Sequence, residues 1–242
     1  MTLLLVCVGA FLGAVSQRLT GIGYSLISLP LFTVALGPLE GIVLAAVTSG
    51  AICAYLTWDL RERVDLPRVR TLWPWAVVGV IPGALLAAVT ESTLLTVIIG
   101  AVLIAAIVGV PLVQRLTSRT LSMTPRTAGL FSGLVGALSG TPGIPLLLYS
   151  DSIRWDGRAF AASAQPVYVA IGVAVGLTQS AASTAVILLM PWAVWAVAAA
   201  SVALGVLASY PLDRFVSPEA AVRVAKVLAL LGAVQLLVVA LL

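Results

Sequence analysis

The amino-acid sequence predicts an all-α polytopic membrane protein built from two inverted repeats, each a broken or re-entrant helical hairpin followed by three transmembrane helices. Hydrophobic residues make up 61% of the chain and charged residues only 9%, whereas soluble domains carry about 25% charged residues. Apolar runs of about 18 or more residues recur, each long enough to cross about 30 Å of hydrocarbon. One glycine-rich stretch occurs twice, half a chain apart. We expect a single integral membrane domain, residues 1–242, with repeats over about 1–117 and 121–242.

Short polar linkers, most of them containing glycine, proline or charged residues, separate the apolar segments. The two segments that open the halves, Thr2–Leu36 and Thr127–Ser150, contain the repeated stretch. The remaining segments are each long enough for one crossing and lie at Gly41–Thr57, Leu72–Thr90, Thr93–Val113, Ala159–Ser180, Thr184–Tyr210 and Ala220–Leu242.

The repeat aligns without a gap at an offset of 120 residues. In each copy a polar segment interrupts the apolar run, and we call Gln17–Ser25 the first break and Ser139–Pro145 the second break. Paired, glycine- or proline-interrupted segments in two halves point to a transporter's binding site. The alternative is two unrelated glycine-rich helices, because both residues are common in membrane helices. The identities pair Gly9, Phe11, Gly13, Val15, Gly23 and Leu26 with Gly129, Phe131, Gly133, Val135, Gly143 and Leu146.

Loop charge determines the predicted topology, because positively charged loops favour the cytoplasmic side. All the strongly basic linkers can lie on that side only if the first segment of each half returns to the side from which it entered. Thr2–Leu36 is then a hairpin that enters from outside, and Thr127–Ser150 is one that enters from inside. The halves are therefore inverted, as in many secondary transporters. The basic linkers are Trp58–Arg70, Gln114–Arg126, Asp151–Arg158 and Pro211–Lys226.

Four sequence patterns resemble the TauE/SafE family of membrane permeases (sulfite exporter TauE/SafE), and the resemblance covers essentially the whole chain. They are G-x-x-x-G-x-x-x-x-x-x-x-G-I-G at Gly9–Gly23, GLFSGLVGALSGTPGIP at Gly129–Pro145, GVIPGALL at Gly79–Leu86 and its echo SVALGVL at Ser201–Leu207. The sequence departs from the family at Gly21–Ser25, where the family often has a run of three glycines. It also departs in the second break, which carries Pro142 and Pro145.

The resemblance implies a secondary carrier of small sulfur-containing anions, such as sulfite or organosulfonates, in the cell (plasma) membrane. The substrate is then expected between the two glycine-rich breaks, near the membrane midplane. An anion channel, or a carrier of another small organic anion, is the alternative. A small anionic substrate and the lipid bilayer are the expected partners, and a homodimer is left open.

The breaks contain the groups that an oxyanion needs. The N-terminal end of a half-helix offers unpaired N–H groups and positive dipole charge, and glycine lets a ligand approach the backbone. Arg18 adds a planar fork for oxygens, although a short interfacial turn is the alternative explanation for this charge. The hydroxyls could instead bond to their own helices, and Gln165 could simply join neighbouring helices. The candidates are Gln17, Arg18, Thr20, Gly21, Gly23, Ser25, Thr48, Ser49, Ser139, Gly140, Thr141, Gly143 and Gln165.

Composition excludes several other functions. The chain has no His, and its two cysteines, Cys7 and Cys53, lie in apolar segments, so we expect no cofactor or metal. No serine has a neighbouring base and no carboxylate pair is buried in an apolar segment, which argues against an intramembrane enzyme. The net charge of +4 reflects basic loops rather than nucleic-acid binding. A purely structural subunit would leave the two breaks without a purpose.

Overall fold

The computed structural model describes residues 1–21, 23–109, 123–182, 190–212 and 218–241, and within these ranges its regular structure is helical. A 3₁₀ turn, Arg61–Arg63, precedes the fourth helix, and the fifth continues as a π-helical segment, Ala105–Gly109. The helices are α1 (Thr2–Thr20), α2 (Tyr24–Leu36), α3 (Pro38–Asp59), α4 (Leu66–Val89), α5 (Ser92–Ile104), α6 (Pro125–Ser139), α7 (Gly143–Ser152), α8 (Gly157–Ala182), α9 (Trp192–Leu212) and α10 (Pro218–Leu241).

Helix lengths agree with a multi-pass membrane protein. In the part of the chain that the structure describes, α1, α3, α4, α9 and the Gly157–Gln179 part of α8 are long and apolar enough to span a bilayer. Four of the six predicted crossings therefore reach spanning length. The other two, α5 and the Lys226–Val238 part of α10, are shorter apolar helices over the residues described, as is α2.

Both breaks interrupt helices where the sequence predicts. α1 ends at Gly21, whose φ of 74° is left-handed, and α6 ends at Gly140 with a φ of 64°. Only glycine adopts this conformation at little cost, so each chain reversal depends on it. α1 and α2 then pack antiparallel: a Cβ added to Gly9 would lie 3.1 Å from a ring carbon of Phe32, and one added to Gly13 would lie 3.0 Å from the Tyr24 carbonyl oxygen.

The two halves interlock through their hairpins. α1 packs against α9 of the second half, α6 packs against α4 of the first, and α3 and α5 contact α8 and α10. Glycines permit the close approach of these helices. A Cβ on Gly129 would lie 2.5 Å from the Leu72 carbonyl oxygen, and one on Gly205 would lie 2.5 Å from that of Phe11. Small residues at such positions are the usual basis of helix association in membranes.

The described parts of the basic linkers lie at one end of the bundle. The Arg68 guanidinium stacks 4.8 Å from the ring centroid of Trp155, which joins the Trp58–Arg70 and Asp151–Arg158 linkers. The backbone N–H of Asp65 also donates to the Ser163 hydroxyl over 2.8 Å. Residues 114–122 of the third basic linker lie outside the described residues. This end of the bundle therefore carries the positive charge that favours the cytoplasmic side.

A labelling experiment tests that orientation. In a background with Cys7 and Cys53 replaced by alanine, Val64→Cys and Gly157→Cys are expected to resist an impermeant thiol reagent added outside intact cells, because both positions lie at the basic end. Ser92→Cys, at the exposed start of α5, is the control that should react from outside. Labelling of Gly157→Cys but not of Val64→Cys from outside would contradict the predicted inversion of the halves.

Candidate functional site

The two breaks meet at one cavity, which we call the central cavity. Its volume is about 100 Å³, several times the roughly 30 Å³ that one water occupies in the liquid. Its described lining contains one cation, Lys226, and no carboxylate, so the lining offers hydrogen-bond donors but no negatively charged acceptor. The polar and glycine residues that line it are Gln17, Gly23 and Ser25 from the first break, Thr141 and Gly143 from the second, Ser49 from α3 and Tyr168 from α8.

The N-terminus of α2 is capped from within the first break. The side-chain amide oxygen of Gln17, Oε1, accepts from the backbone N–H groups of Gly23 and Tyr24, each over 3.0 Å. Two donors that a helix start leaves without a helical partner are thus satisfied by a neutral side chain. Since an anion would bind to the same N–H groups, Gln17 occupies the position that an oxygen of a ligand would take.

The N-terminus of α7 differs in this respect. Its N-cap residue is Pro142, which provides no side-chain hydrogen bond. The position 120 residues after Gln17 is Ala137, which has no polar group with which to cap the helix. The nearby residue Tyr168 is only 4% exposed, lines the same cavity, and has a hydroxyl without a hydrogen-bond partner among the described residues. The central cavity therefore holds unused donors on its second-half side.

Gln17 and Gln165 form a buried amide pair. The Gln17 amide nitrogen donates to the Gln165 carbonyl oxygen over 3.0 Å and also contacts the Gly21 carbonyl oxygen at 3.2 Å and the Cys53 sulfur at 3.4 Å. The Gln165 nitrogen donates to the carbonyl oxygens of Gly21 and Ala161 over 3.0 and 2.7 Å. The pair thus joins α8 to the backbone of the first break.

A larger cavity of about 920 Å³, which we call the basic vestibule, lies on the other side of this pair. Gln17, Gly21 and Gln165 line it, so the first break forms part of its wall. Its described lining also carries five cations against one carboxylate, Asp59, and this excess favours the entry of anions. The cations are Arg18, Arg63, Arg158, Arg223 and Lys226.

Arg18 lies in the basic vestibule and is absent from the described lining of the central cavity. It occupies the last turn of α1, where the helix dipole favours a cation. Its guanidinium carbon lies 3.8 Å from the ring centroid of Tyr210, and Asp59 lines the same vestibule. The Tyr210 ring and the helix dipole therefore both stabilise this charge. A role for Arg18 in binding substrate stays a prediction.

The other predicted residues divide between the two cavities and the helices. Thr20 and Ser139 bond back to the Ser16 and Val135 carbonyl oxygens over 2.8 Å, the alternative that the sequence left open for hydroxyls. Thr48 accepts from the Tyr24 hydroxyl over 2.7 Å and lines an apolar groove instead. Gly140 ends α6 against the Leu29 side chain and is also absent from the described central lining.

Sequence reasoning missed Tyr168 and Lys226. Tyr168 lies three residues after Gln165 and therefore on the same face of α8, and the 120-residue offset aligns it with Thr48. Both relations are visible in the sequence and could have identified it. Lys226 lines both cavities from α10, yet no sequence signal separates it from the other residues of a basic linker.

Spanning helices, and two breaks that meet at one cavity, define a multi-pass membrane protein. The family model described as sulfite exporter TauE/SafE matches residues 5–236, nearly the whole chain, and the chain belongs to this family. The resemblance seen in the sequence is thus confirmed. The family consists of membrane transporters, so the protein is a transporter of the sulfite-exporter type and not an enzyme. No curated protein and no solved structure matches the chain.

Proposed function

We propose that the protein is a secondary carrier that moves a small sulfur oxyanion, such as sulfite or an organosulfonate, across the plasma membrane. The substrate binds in the central cavity, between the two glycine-rich breaks. The observation that carries the proposal is the meeting of both breaks at one cavity whose described lining contains donors but no carboxylate. Membership of the family supports the sulfur-anion class.

The second-half side of the cavity supplies the donors that the proposal needs. The backbone N–H groups at the start of α7 and the Tyr168 hydroxyl converge on the cavity, and none of them has a side-chain partner among the described residues. Ser25, Ser49 and Thr141 add hydroxyls to the same lining. An oxyanion accepts several such bonds, and each is stronger than a bond between neutral groups.

The inverted arrangement of the halves belongs to the same proposal. Adding 120 to residue numbers maps α1 onto α6 and α4 onto α9. The contact between α1 and α9 therefore corresponds, in the other half, to the contact between α6 and α4. Both pairs of helices pack closely in the structure. Ser201 and Gly205 are buried in α9, as Gly79 and Gly83 are in α4. Equivalent contacts of this kind are what a carrier with two exchangeable halves requires.

Transport in proteoliposomes tests the proposal directly. Uptake and efflux of labelled sulfite, sulfate, methanesulfonate and a carboxylate are measured with and without a pH gradient. We expect saturable transport of a sulfur oxyanion that is accelerated by the same anion on the opposite side of the membrane. Transport that does not saturate and shows no such counterflow would indicate a channel. Transport of the carboxylate alone would indicate a carrier of another class of anion.

Removing the unpartnered hydroxyl provides a sharper test. Tyr168→Phe is expected to raise the dissociation constant for methanesulfonate roughly tenfold or more, because a hydrogen bond to a charged group is lost. Without ligand the variant should be at least as heat-stable as wild type, since a buried hydroxyl without a partner destabilises. Tyr149→Phe, on α7 against Trp155, is the control and should bind normally. Equal affinities for methanesulfonate in wild type, Tyr168→Phe and Tyr149→Phe would show that Tyr168 does not bind the anion.

A further inference from the structure

Gln17 separates the central cavity from the basic vestibule. Its side chain is 2% exposed and lines both cavities. Lys226 also lines both cavities, but it is an exposed residue of α10, whereas Gln17 is buried and its side chain is hydrogen-bonded at both its oxygen and its nitrogen. An anion that moves between the two cavities along the first break therefore passes the position of this amide.

The hydrogen bonds of Gln17 hold this position closed. The side-chain amide oxygen of Gln17 accepts hydrogen bonds from two backbone N–H groups of the first break. The side-chain nitrogen of Gln17 donates to the side-chain oxygen of Gln165 on α8. All the groups in these bonds are neutral, so each bond contributes only modestly to the closed state. The Gln165 side chain is itself fully buried and is fixed by the Ala161 carbonyl oxygen.

An oxyanion can replace Gln17 at the start of α2. The backbone N–H groups of Gly23 and Tyr24 would then bond to a charged oxygen instead of an amide oxygen, and charge-assisted bonds are roughly twice as strong. Gly23 lines the central cavity, so a bound anion lies next to these donors. The exchange keeps both N–H groups satisfied throughout, which avoids the cost of leaving a buried donor unpaired.

We propose that the Gln17–Gln165 amide pair is the gate between the central cavity and the basic vestibule. A substrate oxyanion opens this gate by taking the place of the side-chain oxygen of Gln17 at the N-terminus of α2. The part that concerns the anion rests on the proposed function. The gate itself rests on the geometry of the two cavities and the amide pair.

Cys53 is a reporter of the gate. Its sulfur lies 3.4 Å from the Gln17 nitrogen, and the residue is fully buried. Cys53 is absent from the described lining of both cavities, so we expect a small thiol reagent in the vestibule to reach the sulfur faster when the Gln17 side chain moves away. The reporter background is Cys7→Ala, because Cys7 is the other cysteine of the chain and is only half-buried.

The experiment measures the rate at which methyl methanethiosulfonate modifies Cys53 in the purified, full-length protein. Methanesulfonate is the probe anion, because sulfite itself cleaves disulfides and thiosulfonates. Gln165→Leu weakens the gate while leaving the Gln17 side chain in place. Gln179→Leu is the matched control, since Gln179 is also a fully buried glutamine of α8 but has no contact with the amide pair.

We expect Gln165→Leu to speed modification of Cys53 by about tenfold, which is the effect of losing one to two hydrogen bonds, and Gln179→Leu to leave it unchanged. Methanesulfonate should speed modification of the Cys7→Ala reporter, which retains both glutamines, and should have less effect on Gln165→Leu. A Gln165→Leu rate equal to that of the control overturns the gate.

Transport measurements separate this proposal from the proposed function. If methanesulfonate is transported but does not change the Cys53 rate in the reporter background, opening by the anion is overturned. If no sulfur oxyanion is transported while Gln165→Leu still speeds modification tenfold, the proposed function fails and the gate stands.

Discussion

Gly133→Ala is expected to prevent stable assembly of the two halves. The added Cβ would overlap the Ala76 carbonyl oxygen of α4, and it would lie 2.9 Å from the Val80 nitrogen. These are backbone atoms within a helix and cannot move by changing rotamer, so α4 and α6 must separate. Overpacking costs about 1–3 kcal/mol even where side chains can adjust, and here the cost is expected to reach or exceed that range.

The measurement is the yield of monodisperse protein and its melting temperature in detergent. Gly50→Ala is the matched control, because the nearest atom to its added Cβ is a Gly172 carbon 3.7 Å away, an ordinary contact. We expect a near-normal yield for Gly50→Ala and a large loss for Gly133→Ala. Similar yields would mean that α4 and α6 do not pack as closely as the structure has them.

Gly21→Ala is expected to reduce transport at least tenfold in protein that still reaches the membrane. Its left-handed φ costs an L-residue about 1–2 kcal/mol. In addition, the new Cβ would lie 2.6 Å from the Cβ of Ala161, which pushes the first break away from α8. The Gly21 carbonyl oxygen would then leave the Gln165 nitrogen, to which it is bonded over 3.0 Å.

Gly140→Ala should be the milder change, although both glycines end a helix in the left-handed conformation. Its Cβ would lie 2.9 Å from the end of the Leu29 side chain, which can adopt another rotamer. Initial rates of methanesulfonate counterflow, normalised to protein in the membrane, compare the two variants. Gly157→Ala is the control, because no described atom beyond its chain neighbours and its own helix lies within 4 Å of the added group. Equal losses for Gly21→Ala and Gly140→Ala would contradict the different surroundings of the two breaks.

The sequence predicted the helical membrane class, the family and the places where the helices break. These features depend on local properties. Apolar runs determine which segments enter the bilayer, and glycines in the left-handed conformation determine where a helix stops, as at Gly21 and Gly140. Residues of both breaks also line the central cavity, and binding of the substrate there stays a prediction.

The arrangement of side chains around the cavity could not be predicted in the same way. Gln17 caps α2 only because the chain reverses at Gly21 and returns the start of the next helix to it. Arg18 stacks on Tyr210, far along the sequence in α9, so its position in the basic vestibule depends on tertiary packing. Tyr168 is identified as a candidate by an unpartnered hydroxyl, a property that exists only in the folded protein.

The excess of positive charge in the basic vestibule has a consequence for the kinetics of a reversible carrier. Charged clefts of this kind raise the local concentration of counter-ions and their association rates by about 10–10³-fold. A fixed electrostatic field does no net work over a complete transport cycle, because the electrostatic energy that an anion gains on entering the vestibule is lost again when it leaves. The vestibule therefore affects the anion concentration at which the protein saturates from that side. The direction of net flux depends on the anion gradient or on a coupled ion.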